Sequence, residues 1–131
     1  MADVANSTNS GPVEAEYFAS GGILGSLTNG VIASSRNTGF VDGSSQSGGL
    51  VGQAGTSITI YESINQGAVS GSEDVGGLVG KSFLLGIISN SSNVAMVQGT
   101  SALGGLVGNG GTLRIHQSSN RGSVDGQQLD V

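Results

Sequence analysis

Small polar and β-branched residues alternate with variable ones in a short pattern that recurs along the chain. The pattern reads Ser-x-Asn-x-Gly-x-Val-x-Gly, so every second position is specified and the positions between them vary. Its copies begin at Ser35, Ser63, Ser91 and Ser118, with a degenerate copy from Ser7. Successive side chains of a strand point to opposite faces. The alternation therefore predicts strands with one uniform face, which we place inward.

A second pattern, Gly-Gly-Leu-Val-Gly, lies between the copies of the first. Its glycine pairs begin at positions 21, 48, 76 and 104, which are 27, 28 and 28 residues apart. A period of this length indicates repeats that bury their apolar faces against one another. Helical repeats are excluded, because each glycine costs a helix about 1 kcal/mol and every repeat has several.

We therefore predict an all-β fold, a parallel β-solenoid of about 4.5 coils of 27–28 residues. Each coil is expected to contain three short strands, which in the second coil centre on residues 50–51, 58–60 and 65–69. Equivalent residues of neighbouring coils then lie ~4.8 Å apart and form ladders along the axis. Stacked asparagines are expected to donate from one amide to the next. The predicted ladders are Asn37, Asn65, Asn93 and Asn120; Leu50, Leu78 and Leu106; Ile60, Ile88 and Ile115; and Val41, Val69, Val97 and Val124.

Two features predict where the coil turns. An isoleucine recurs three residues before each serine, an odd offset that cannot keep both side chains inward along a straight strand. A bend in "ASS", "YES", "SNS" and "HQS" would bring both inside. Just upstream, "QAGTSIT" and "KSFLLGI" are one residue longer than "SLTNGV" and "NGGTLR". Length variation is typical of loops, so we expect a corner there.

Composition and charge exclude several classes of partner. The net charge is -5 with only four Lys and Arg residues, too few cations to bind a polyanion such as nucleic acid. The longest apolar run, residues 83–88, is far shorter than the ~20 residues of a membrane-spanning helix, so we expect no membrane insertion. Cysteine is absent, which removes disulfides and thiolate metal sites.

Together the two patterns resemble the GLUG motif, a short repeat of bacterial secreted and cell-surface proteins that include adhesin-like proteins and immunoglobulin A peptidases. The resemblance covers residues 21–126, and three of the four copies are close. It implies a β-helical protein, right-handed by analogy, in an extracellular or cell-surface setting. It also implies a stalk or scaffold rather than a catalytic part. The chain departs from the family in consisting of repeats alone, with no visible signal peptide or anchor.

Candidate chemistry is sparse. Asp42 and Asp125 share one repeat position but stand three coils apart, roughly 14 Å, which is too far for a pair of catalytic carboxylates. Glu73 and Asp74 are a candidate weak calcium contact, for which a solvated acidic turn is the simpler interpretation. His116 is the single histidine. We predict no catalytic residue, no metal site and no cofactor, and therefore no enzyme.

The ends of the chain suggest a function. Residues 1–20 are expected to form an N-terminal half-coil and partial cap, with Pro12, Glu14 and Glu16 discouraging pairing, and residues 21–131 a four-coil solenoid within one domain. The last residues, "DGQQLDV", stop where the next glycine pair would begin. The sequence thus favours a structural subunit that stacks head to tail into a homo-oligomer or filament. A monomer with partly capped ends and a fragment of a longer surface protein are the alternatives.

A binding module is the rival function. In this hypothesis an outer face of the solenoid recognises a glycan or a protein, as an adhesin does. The candidate residues are Arg36, Phe40, Tyr61 and His116, which occupy outward positions of the pattern. A polysaccharide-active enzyme is disfavoured because the acids do not cluster.

Overall fold

The computed structural model describes residues 1–126, which form a parallel β-solenoid of about four turns. Every strand pairing in this part of the chain is parallel and joins equivalent residues of neighbouring coils. The predicted fold class is confirmed. The right-handed coil stays a prediction. Residues 127–131, to which the expected C-terminal end belongs, lie outside the described part.

Each coil passes through four sheets, numbered here for reference. Sheet 1 contains β1 (Ala2–Ala5), β5 (Leu24–Ala33), β9 (Val51–Tyr61), β13 (Val79–Ser82), β14 (Leu85–Ser89), β18 (Val107–Asn109) and β19 (Thr112–His116). Sheet 2 contains β2 (Thr8–Asn9), β6 (Arg36–Asn37), β10 (Ile64–Asn65), β15 (Ser92–Asn93) and β20 (Ser119–Asn120). Sheet 3 contains β3 (Val13–Glu14), β7 (Val41–Asp42), β11 (Val69–Ser70), β16 (Val97–Gly99) and β21 (Val124–Gly126). Sheet 4 contains β4 (Ser20–Gly21), β8 (Ser45–Gly48), β12 (Glu73–Gly76) and β17 (Ser101–Gly104).

The division of the coil differs from the three strands that we expected. In the second coil β9 joins the first two expected segments into one strand, whereas the third is split between β10 and β11. Sheet 4 was not anticipated. Its strands read "SQSG", "EDVG" and "SALG" in successive coils. They share only the first glycine of the glycine pair, so no alternating pattern marks a strand there in the sequence.

The extra residue in the longer coils is accommodated in sheet 1 rather than at a corner. Between the first two coils, β5 and β9 run through this point, and their register shifts between Leu27 and Asn29. In the next two coils the strand is interrupted instead, between β13 and β14 and between β18 and β19. A bulge absorbs one residue without ending the strand, which is why a length difference alone did not locate the turn.

The bend between isoleucine and serine is present in every coil. Its central residue is left-handed each time; Glu62, for example, has φ 51°. The bend turns the chain so that Ile60 and Ser63 are both buried, as expected. The equivalent left-handed residues are Asn6, Ser34, Asn90 and Gln117, and a second row in sheet 4 comprises Gln46, Asp74 and Ala102.

Within the described residues, the interior holds two apolar clusters. The larger lies against sheet 1 and includes the ladder residues Leu50, Leu78, Ile60 and Ile88, all fully buried, with Leu106 partly buried at its edge. The smaller lies between sheets 3 and 4 and consists of Val41, Val69, Val75 and Val97. Both clusters are narrow, because most of the inward side chains are small.

The N-terminal segment continues the solenoid. β1, β2 and β3 pair with β5, β6 and β7 in the register of the later coils. Beyond them Tyr17 and Phe18 are exposed. Residues 1–20 thus contribute a partial first coil, with its outer edge open in the described structure.

Close packing at the glycine pairs yields a first prediction. A Cβ on Gly49 would overlap the side-chain amide of Asn65 and the carbonyl oxygen of Gly77 in the next coil. Since neither group can move without breaking a stacking contact, we expect Gly49→Ala to lower the free energy of unfolding by about 3 kcal/mol or more. Urea unfolding followed by circular dichroism measures the change.

Gly11→Ala is the matched control. A Cβ at Gly11 meets nothing closer than Asn9 Oδ1 at 3.8 Å, so this substitution should be nearly neutral. Equal stability of the two variants would contradict the packing described.

Candidate assembly surface

An asparagine ladder runs through the interior beside sheet 2. Asn9, Asn37, Asn65 and Asn93 each donate from Nδ2 to Oδ1 of the asparagine in the following coil, at 2.8–2.9 Å. The register Asn37–Asn65–Asn93–Asn120 follows the strand pairing. The ladder is directional: every amide donates towards the C-terminal end of the solenoid.

The same amides close the turn that follows sheet 2. Asn65 Nδ2 also donates to the carbonyl oxygen of Gly67 at 2.8 Å, and its Oδ1 accepts from the Gly67 backbone N–H at 3.2 Å. Both amide protons and the oxygen therefore have partners inside the protein. Full satisfaction explains how Asn37, Asn65 and Asn93 can be completely buried.

A serine ladder runs alongside in the same direction. The backbone N–H of Ser35 donates to Ser63 Oγ at 3.1 Å, and that of Ser63 donates to Ser91 Oγ at 3.1 Å. Each hydroxyl also donates to the carbonyl two residues earlier, as Ser35 does to Ala33 at 2.8 Å. The ladder begins at Ser7 and reaches Ser118 in the last described coil.

The ladders and apolar columns become exposed at the last coil described. Ile115 is 44% exposed and Val124 43%, whereas their neighbours in the column, Ile88 and Val97, are fully buried. Asn120 is likewise exposed. At the opposite end Val4, Asn9 and Val13 are only partly buried. Together these residues form the two end faces of the described solenoid.

The four predicted outer-face residues lie on three different stretches of the coil. Arg36 lies in sheet 2, and Phe40 precedes β7 of sheet 3. Tyr61 and His116 share one column of sheet 1 but are two coils apart, with Ser89 between them. Ligand binding by these residues stays a prediction.

An exposed apolar group lies in the longest apolar run of the sequence, where the coil length also varies. Phe83, Leu84, Leu85 and Ile87 all project from the third coil; we call them the apolar patch. Lys81 Nζ lies 5.0 Å from the centre of the Phe83 ring, within the range of a cation–π contact. The run "FLLGII" was the available signal, but its outward positions depend on the interruption between β13 and β14.

Two acidic residues, Glu14 and Asp42, are neighbours on one column of sheet 3, and Asp74 is paired with a lysine. Asp42 and Asp125 lie on one column with Ser70 and Gln98 between them, so three coil steps separate the two carboxylates. Asp74, the candidate calcium contact, instead lies 3.4 Å from Lys81 Nζ and accepts a hydrogen bond from Asn109 Nδ2 at 3.0 Å.

Two kinds of feature are absent from residues 1–126. No three or more His, Asp or Glu side chains there are grouped so that they could hold a metal ion. In the same residues, no helix has the length and apolar character needed to cross a membrane.

Comparison with known proteins adds no further assignment: no protein-family model, no curated protein and no solved structure matches this chain.

The asparagine ladder leads to a second prediction. Asn65→Ala would leave the Nδ2 donor of Asn37 and the backbone N–H and C=O of Gly67 buried without the hydrogen bonds that Asn65 provides. Each unsatisfied buried group costs about 1–3 kcal/mol, so we expect a loss of about 3 kcal/mol or more of unfolding free energy. Thermal and urea unfolding measure it.

The control, Gln66→Ala, alters the adjacent exposed side chain and should change stability by less than about 0.5 kcal/mol. A similar, small effect of both substitutions would show that the ladder contributes little.

Proposed function

We propose that this chain is a structural subunit whose copies stack end to end into a fibre or stalk outside the cell. The exposed ends of buried columns support the proposal most directly. Ile115 and Val124 occupy positions that are fully buried in the preceding coils. A further coil laid over them would bury them in the same way.

Several interactions would act together at such a joint. Fully burying an isoleucine or valine side chain is worth about 1.5–3 kcal/mol, and both here are already half-buried. The open strand edges also carry backbone N–H and C=O groups that pair readily with another strand. A contact between two different ends of one subunit does not close on itself, so it propagates into a filament.

The extracellular setting rests on the resemblance of the repeats to the GLUG motif. The same resemblance implies a stalk or scaffold role.

Electron microscopy tests this function. Negative-stain images of the purified chain over a concentration series, with sedimentation velocity at the same concentrations, should show thin fibres that lengthen with concentration. Uniform small particles at every concentration would refute the proposal.

A matched pair of variants connects assembly to the end face. Ile115→Asn should raise the critical concentration for fibre formation about tenfold or more, because it puts an amide into the apolar joint. Ile87→Asn should assemble normally, since Ile87 is equally exposed, at 43%, but faces outward from sheet 1. Pelleting assays quantify both. If Ile115→Asn assembles as well as the unmodified chain, this end face is not the joint.

The apolar patch favours a second candidate function, an adhesin-type binding module. Exposed apolar residues gathered on one outer face are typical of a surface that binds another molecule. Phe83 and the neighbouring Lys81 offer an aromatic ring and a cation to a glycan or protein ligand.

Binding and assembly can be separated by experiment. Leu84→Ser with Leu85→Ser should abolish binding on a glycan array or to host-surface proteins while fibres still form. Phe40→Ser changes an exposed aromatic residue on another sheet and should leave such binding intact. Loss of binding in both variants would show that the apolar patch is not the specific binding surface.

A further inference from the structure

We infer that the stack is polar and has a single register: the C-terminal coil of one copy receives the N-terminal coil of a second copy, with Asn120 of the first against Asn9 of the second. The inference rests on the proposed stacking and specifies its direction and contacts. The hydrogen-bond polarity of the ladders and the order of the strands at the two end faces support it separately.

Donors and acceptors at the two ends of the asparagine ladder are complementary. Asn120 Nδ2 donates to the Gly122 carbonyl at 2.8 Å and, among residues 1–126, to no second acceptor. Within the same described residues, Asn9 Oδ1 accepts from the Gly11 N–H alone, at 3.2 Å, whereas Asn65 Oδ1 accepts from both Gly67 and Asn37. One end therefore offers an amide proton and the other a carbonyl oxygen.

The serine ladder has the same polarity. Its C-terminal end presents the backbone N–H of Ser118, because each earlier serine N–H donates to the hydroxyl of the following coil. Its N-terminal end presents Ser7 Oγ, which donates to Ala5 at 3.0 Å and can still accept. Two like ends brought together would oppose donor to donor or acceptor to acceptor, so both ladders favour head-to-tail contact.

Strand order fixes which elements meet. The described solenoid ends with β19, β20 and β21, in sheets 1, 2 and 3, and begins with β1, β2 and β3 in the same three sheets. Continuing the columns puts Ile115 against Val4 and Val124 against Val13. A shift of one residue would turn every inward side chain outward, so a single register satisfies all columns.

The charged rim provides a further contact. The column that starts at Asp3 passes through Val31, Thr59 and Ile87 and ends at Arg114. In the inferred register Arg114 of one copy faces Asp3 of the next. The same register puts Asp125 against Glu14, two like charges. The rim therefore contributes one attractive and one repulsive pair and no net attraction, but the Arg114–Asp3 pair can be tested by exchanging its charges.

The first test removes one donor from the joint. Asn120→Asp keeps an oxygen that accepts from Asn93 but loses the Nδ2 protons. At the joint, a carboxylate oxygen would then face Asn9 Oδ1, and both atoms are acceptors. We expect its critical concentration, measured by pelleting and light scattering, to rise about tenfold. Asn90→Asp makes the same change at an exposed corner of the third coil and should assemble like the unmodified chain. Circular dichroism below the assembly threshold checks that both variants fold.

The second test exchanges the charged pair. Asp3→Arg and Arg114→Asp should each raise the critical concentration severalfold, since each brings two like charges together. An equimolar mixture of the two single variants, and the double variant, should recover assembly because opposite charges face one another again. Head-to-tail contact predicts a loss in each single variant and recovery in the mixture and the double variant. Contact between like ends predicts no loss in either single variant, because like charges would already face one another in the unmodified chain.

The outcomes separate the two proposals. If the unmodified chain forms no fibres, the stacking function fails and the inferred joint fails with it. If it forms fibres but Asn120→Asp matches Asn90→Asp, or the mixture does not recover, the polarity and register are wrong while stacking stands.

Discussion

The fold depends on the stacking of one asparagine amide on the next. Each buried amide is held by the coil before it, the coil after it and its own turn, so a coil is complete only when neighbours lie on both sides. The second glycine of each pair lies directly against this amide, where a side chain would collide with it. The two halves of the repeat, one glycine-rich and one marked by asparagine, are therefore the two sides of a single contact.

Stability in this architecture comes from many small contacts rather than from one large core. The apolar clusters are narrow, and the polar ladders between them must be fully satisfied to be tolerated inside. Each coil depends on its nearest neighbours, as in other repeat proteins. The outermost described coils lack one such neighbour, which is why apolar exposure at buried repeat positions appears at the end faces and why assembly is the function we propose.

The third coil departs most from the common pattern. Its strand in sheet 1 is interrupted, and the apolar patch projects beside the break. Asp74 in this coil is held by Lys81 and by Asn109 of the following coil. An outward surface free of the repeat's constraints can vary without disturbing the ladders. Such an interruption therefore suits specific recognition better than a regular column does.

The sequence by itself determined the period, the parallel stacking and the identity of the ladders, because stacking requires the same residue in every coil and so leaves a visible repeat. It also located the bend before each serine, since an odd offset between two inward residues demands one. Only the tertiary structure decided that each coil has four sheets, that Leu27 and Asn29 flank a bulge, and that Phe83 to Ile87 face outward. These features depend on contacts between neighbouring coils, which cannot be read from the sequence of one repeat. The direction of the hydrogen bonds, and with it the complementarity of the two end faces, likewise follows from that fit.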